Sequence, residues 1–153
     1  MALVCVFVII AFALGRSTGG PAAAPTPAAP TQAASTQTVP APSGDTALAR
    51  LFQTKQSNVQ VSGSGTVTRL LADDTQGGRH QRFILQLASG QTLLVAHNID
   101  IAPRLDGLAV GDQVGFYGEY VYTDQGGTIH WTHHDPAGTH VAGWLEWRGH
   151  RYQ

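Results

Sequence analysis

The sequence predicts a small, mostly β domain carried on an N-terminal stalk, and three features carry that prediction. From residue 59 onward, short runs of alternating apolar and polar residues recur between clusters rich in Gly, Asp and Asn. Only one segment of that region's approach has helical spacing, with Leu48, Leu51 and Phe52 at i, i+3 and i+4. Composition breaks near residue 44, because residues 17–44 contain no charged side chain and hold six of the eight prolines.

Taken in order, residues 2–15 form an uncharged apolar run of 14 residues. It suits the core of a secretory signal or a short membrane anchor better than a bilayer span of roughly 20 residues. The expected segments are therefore a leader at 1–16, a disordered Pro/Ala-rich linker at 17–44 and a folded domain at 45–153. The linker cannot bury enough apolar surface to offset its ordering entropy. The domain is expected in the periplasm or secreted, touching a membrane only through the N-terminal segment, and as a monomer.

Asp45 is placed to cap a helix over 46–56. Five strands follow at 59–71, 80–87, 92–98, 113–123 and 128–134, then a terminal hairpin pairing Glu146 with Arg151 and Leu145 with Tyr152. Three strands, an irregular connection at 100–111 and a closing hairpin match the order of an OB-like five-stranded barrel. Gly63 and Gly65 would let the first strand coil between both halves of it.

Register sets the faces. A tight turn at 88–91 pairs Leu85 with Leu94, Phe83 with Ala96 and Arg82 with His97. Phe83, Leu85, Leu87, Leu94 and Ala96 would then face inward, leaving Arg82, Ile84, Gln86, Leu93, Val95 and His97 outward. In the last hairpin, a four-residue loop pairs Tyr122 with Ile129 and Tyr120 with Trp131, placing Trp131 inward with Val114 and Phe116.

The domain carries eight basic and ten acidic residues, which argues against general nucleic-acid binding. The chain's single cysteine, Cys5, lies in the leader, so zinc ribbons and thiol catalysis are excluded for the domain. All seven histidines lie between His80 and His150. His133, His134, Asp135 and His140 form a candidate site for a divalent metal such as zinc, given a turn at 135–138. Against it, His133 and His134 would point to opposite faces of a strand, and the spacing matches no established metal motif. Protonating all seven imidazoles would swing the domain from about −2 to about +5, so acid would favour anion binding.

The strings Arg79-His80-Gln81-Arg82-Phe83-Ile84-Leu85, Ala96-His97-Asn98-Ile99-Asp100-Ile101-Ala102-Pro103-Arg104 and His130-Trp131-Thr132-His133-His134-Asp135-Pro136 resemble a bacterial family, domain of unknown function 3465. Gly118-Glu119-Tyr120 and Gly143-Trp144 share in the likeness. The resemblance implies a small exported protein and assigns no catalytic residue.

Three functions remain open. The first is a noncatalytic module in the cell envelope that holds a polar or anionic ligand through His80, Arg82, His97 and Arg104, on the outer face of the second and third strands. That reading fails if the N-terminal helix covers this face. The second is a metal-dependent, phosphodiesterase-like hydrolase built on 130–140. The third is an envelope assembly protein that docks a protein partner.

Overall fold

A computed structural model describes residues 44–153. The expectations for the leader and most of the linker lie outside these residues. The described chain runs α1 (Gly44–Gln53), β1 (Val59–Leu70), β2 (His80–Gln86), β3 (Thr92–Asn98), β4 (Gln113–Val121), β5 (Thr128–His130), β6 (Trp144–Trp147) and β7 (His150–Tyr152). Among the described residues no helix is long and apolar enough to cross a membrane.

The barrel closes. Neighbouring strands run β1-β2-β3-β5-β4, and β4 pairs again with β1. All of these pairings are antiparallel except β3–β5, where Leu94 and Val95 lie beside Thr128 and Ile129 in parallel. β1 is long enough to serve both sides: it pairs with β4 from Val59 to Thr66 and with β2 from Thr66 to Leu70, with a bulge between Val67 and Arg69. The Phe116 ring lies over Gly63, 2.7 Å from where a Cβ would stand. The mostly β, five-stranded barrel with a short helix and a terminal hairpin is thus the observed fold. The hairpin pairs Glu146 with Arg151 and Leu145 with Tyr152 as expected, and extends β4 through Phe116 and Leu145.

Two registers differ from those read in the sequence. In β2–β3, Leu85 pairs with Leu93, Phe83 with Val95 and Gln81 with His97. Gly90, at φ 87°, takes the left-handed position of a three-residue loop, with Leu87 and Gln91 closing it. One residue of slip turns β3 over. Leu93, Val95 and His97 are therefore fully buried, whereas Leu94 and Ala96 face outward. In β4–β5, Tyr120 pairs with Ile129 rather than Trp131. Gly126 and Gly127, at φ 109° and 114°, let the loop curl so that the Tyr120 hydroxyl donates to the Gly126 carbonyl at 3.1 Å. A slip of two keeps Ile129 inside, but β5 stops at His130, and Trp131 is 36% exposed instead of buried.

The helix begins one residue before Asp45, so Asp45 does not cap it; its carboxylate accepts from the Ser89 N–H at 3.0 Å. Leu48 and Leu51 join the barrel core, and Phe52 packs on Tyr122 with ring centroids 5.7 Å apart. The helix packs against β1 and the ends of the 88–91 and 122–127 loops.

Candidate functional site

Strand alternation, corrected for register, puts Arg82 and Ile84 of β2, Leu94 and Ala96 of β3, and Thr128 and His130 of β5 on one outer face. Two hollows lie along it. One of about 720 Å³ is lined by Thr68, Ile84, Leu94, Gln125 and Thr128 among others. The second, about 340 Å³, is lined by Asp74, His80, Arg82, Ala96, Thr128 and His130 together with Gln76 and Val121. They meet at Thr128, forming a groove with an apolar floor and polar walls. The walls come from the β1–β2 loop (71–79) and the β4–β5 loop (122–127). No helix residue lines either hollow, so α1 leaves this face open.

Of the four expected ligand-binding residues, two reach the groove. Arg82 donates through Nε and Nη2 to the Ala72 carbonyl at 3.1 and 3.0 Å and lies 3.7 Å from Asp74, fastening the β1–β2 loop to the strand. His80 sits beside it, with Nδ1 bonded to the Gly78 carbonyl at 3.1 Å. His97 belongs to the core. Its Nε2 lies 3.0 Å from the Pro103 carbonyl and its Nδ1 2.9 Å from Thr132 Oγ1. A carbonyl only accepts, so Nε2 carries the proton and Nδ1 takes the Thr132 hydroxyl hydrogen. Burial drives its pKa down to about 4, against the lifting effect of Pro103. Arg104 donates to Asp73 at 2.6 Å, a bond that raises its pKa, in a separate small hollow beside Leu105.

The His-rich segment adopts a different arrangement from a metal cage. Among the described residues no group of three or more His, Cys, Asp or Glu side chains is placed to hold an ion. Asp135 spends its oxygens on its own loop, accepting from the backbone of Ala137, Thr139 and His140 and from the Thr139 hydroxyl. Desolvation opposes these bonds, yet together they hold its carboxyl far below the usual range. His133 is buried and its Nδ1 meets the His134 carbonyl at 2.8 Å, while His134 is exposed. His133 and His140 do come together, with ring centroids 5.3 Å apart.

Sequence reasoning missed a neighbouring group. Glu119, on the outer side of β4, lies 3.6 Å from His130 Nε2, which is buried and makes no hydrogen bond. Desolvation lowers the His130 pKa, with Glu119 pulling the other way. Trp131 stands next to this pair, its ring centroid 5.5 Å from that of His130. The β5 register was the hidden variable: with Trp131 assigned to the core, nothing marked the patch.

A family model described as a protein of unknown function, DUF3465, matches residues 31–153. No curated protein matches the chain.

Proposed function

This chain belongs to the DUF3465 family of proteins of unknown function, and from its site we propose a noncatalytic binding module that holds a polar or anionic ligand in the outer groove. The open, concave face across β2, β3 and β5 is the observation that carries this reading. Ile84, Leu94 and Ala96 supply an apolar floor, and residues of the two flanking loops supply polar walls. Small-molecule sites commonly combine those two elements, and an OB barrel typically binds along these strands between these loops. Arg82 and His80 position the β1–β2 wall. The His-rich segment gives a metal-dependent hydrolase less support, because the Asp135 oxygens are already engaged.

The proposed location is the periplasm or exterior of a bacterial cell, supported by the apolar run at 2–15 and the proline-rich stretch after it. Digestion by added protease in intact cells (exterior) or first in spheroplasts (periplasm) would agree with it. Digestion only after lysis of the spheroplasts would refute it.

The binding reading is tested by calorimetric titration of the full chain with three defined probes: a neutral tetrasaccharide, a thymidine decanucleotide and a tetra-aspartate peptide. At least one should bind the native chain, and Leu94→Arg, which fills the groove from a half-buried position on its floor, should remove that binding without lowering the melting temperature. Binding that is indifferent to Leu94→Arg, or no binding of any probe, refutes the groove.

A further inference from the structure

The chain leaves β5 through Trp131, whose φ of 53° lies in the left-handed region, a costly conformation for a bulky residue. Two neighbouring contacts impose it. Thr132 must turn inward to reach buried His97 at 2.9 Å. The Trp131 carbonyl also lies against Gly143, where no Cβ would fit, and Gly143 is itself anchored by its N–H to the His133 carbonyl at 2.9 Å.

The consequence is an indole turned outward from a backbone that these contacts fasten. His140 packs on the ring with centroids 3.9 Å apart, and His133 meets it edge-on at 5.7 Å. Trp131 remains 36% exposed, and its indole N–H has no acceptor among the described residues. Beside it, Glu119 and His130 face each other at 3.6 Å without a hydrogen bond, and His130 also lines the groove. An aromatic plate with a free indole N–H next to an unspent carboxylate suits a ligand with an apolar face and hydroxylated edges.

Charge narrows the class. Arg82 is spent on Ala72 and Asp74, and Arg79 on Asp100 at 2.7 Å. Burial disfavours charge on His130 and His133, and Glu119 adds a negative charge beside the plate. Arg69 lines the far hollow and is not ion-paired among the described residues, but at the Trp131 end a phosphate backbone would find no free Arg or Lys among the described residues, whereas an uncharged polyol needs none.

We propose that Trp131 is the stacking platform for one pyranose ring of an uncharged, extended oligosaccharide such as a β-1,4-linked chain, with the Glu119 carboxylate accepting from its hydroxyls and further sugar units running along the groove toward Thr128. This rests on the groove reading above.

The test titrates the full chain, calorimetrically, with chitotetraose and cellotetraose, with a thymidine decanucleotide as comparison. At least one tetraose should bind, and Trp131→Ala should weaken it by about tenfold or more. Trp131→Phe, which keeps a plate and guards against a merely misfolded Ala variant, should stay within about threefold. Glu119→Gln should weaken binding at an unchanged melting temperature. Failure of both tetraoses to bind, or equal binding by Trp131→Ala, overturns the proposal. If the decanucleotide binds instead and Leu94→Arg removes it, the groove stands and the sugar platform falls. If tetraose binding needs Trp131 but ignores Leu94→Arg, the platform stands and the groove falls.

Discussion

Lowering the pH from 7 to 5 should destabilise this domain through one buried side chain. His97 is fully buried, neutral, and bonded at both ring nitrogens. Its folded pKa is about 4, against 6.5 for an unperturbed imidazole. Desolvation is the main cause; His133 and His80 push the same way, and the Pro103 carbonyl and the Thr132 backbone oppose them. Between these two values the unfolded chain binds a proton that the folded chain refuses. Stability is then fully present above pH 6.5 and falls as pH drops toward 4. The expected loss is about 2 kcal/mol between pH 7 and 5, rising to about 3 kcal/mol near pH 4. The stability that Asp135 contributes is present above its unfolded range and is lost only as pH falls below it. His130 and His133, also lowered mainly by burial, add to the loss in this window. Urea unfolding at a series of pH values, on the native chain and on His97→Gln, isolates the effect, since glutamine does not titrate. The variant starts less stable, but the slope is what matters: it should lose about 2 kcal/mol less than the native chain between pH 7 and 5. Parallel stability curves for the two proteins would refute the assignment.

Two further substitutions test the local arguments. Gln81 is buried and its amide clasps Leu105 twice, donating to the carbonyl at 3.1 Å and accepting from the N–H at 2.9 Å. Gln81→Leu strands both backbone groups and should cost about 2–4 kcal/mol in chemical denaturation; a loss below about 1 kcal/mol would show that the clasp is not holding the 100–111 segment. Gly90→Ala puts a side chain into open space but at φ 87°, so only backbone strain is charged. It should cost about 1 kcal/mol by the same measurement, and no loss at all would contradict the left-handed loop that sets the β3 register.

How much of this was legible in the sequence depended on whether local chemistry or remote packing decided each element. The terminal hairpin read correctly because Arg148 and Gly149, at φ 51° and 76°, form a two-residue turn whose register no distant contact disturbs. The barrel order was also readable, since five runs and their connections admit few closed arrangements. β3 was inverted because Ser89-Gly90 suits both a two-residue and a three-residue loop, and alternation could not arbitrate: Leu93, Leu94, Val95 and Ala96 are apolar on both faces. That single slip placed His97 outside when it belongs to the core. Trp131 was lost for a related reason. Its outward turn is set by Thr132 reaching His97 and by Gly143 approaching from a dozen residues away, and neither contact leaves a trace in the local pattern. The pairing of Arg82 with Ala72, and of Arg104 with Asp73, likewise depends on how the β1–β2 loop folds back.

The central claim is that the outer face of β2, β3 and β5 is where this domain holds its ligand. Backbone amide shifts of the full chain, followed while the bound tetraose is titrated in, test it most directly. The account predicts one contiguous set of moving amides that includes Ile84, Leu94, Ala96, Thr128 and His130 and ends at Trp131. Shifts confined to α1 or to the β6–β7 hairpin, with the groove amides unmoved, would contradict it.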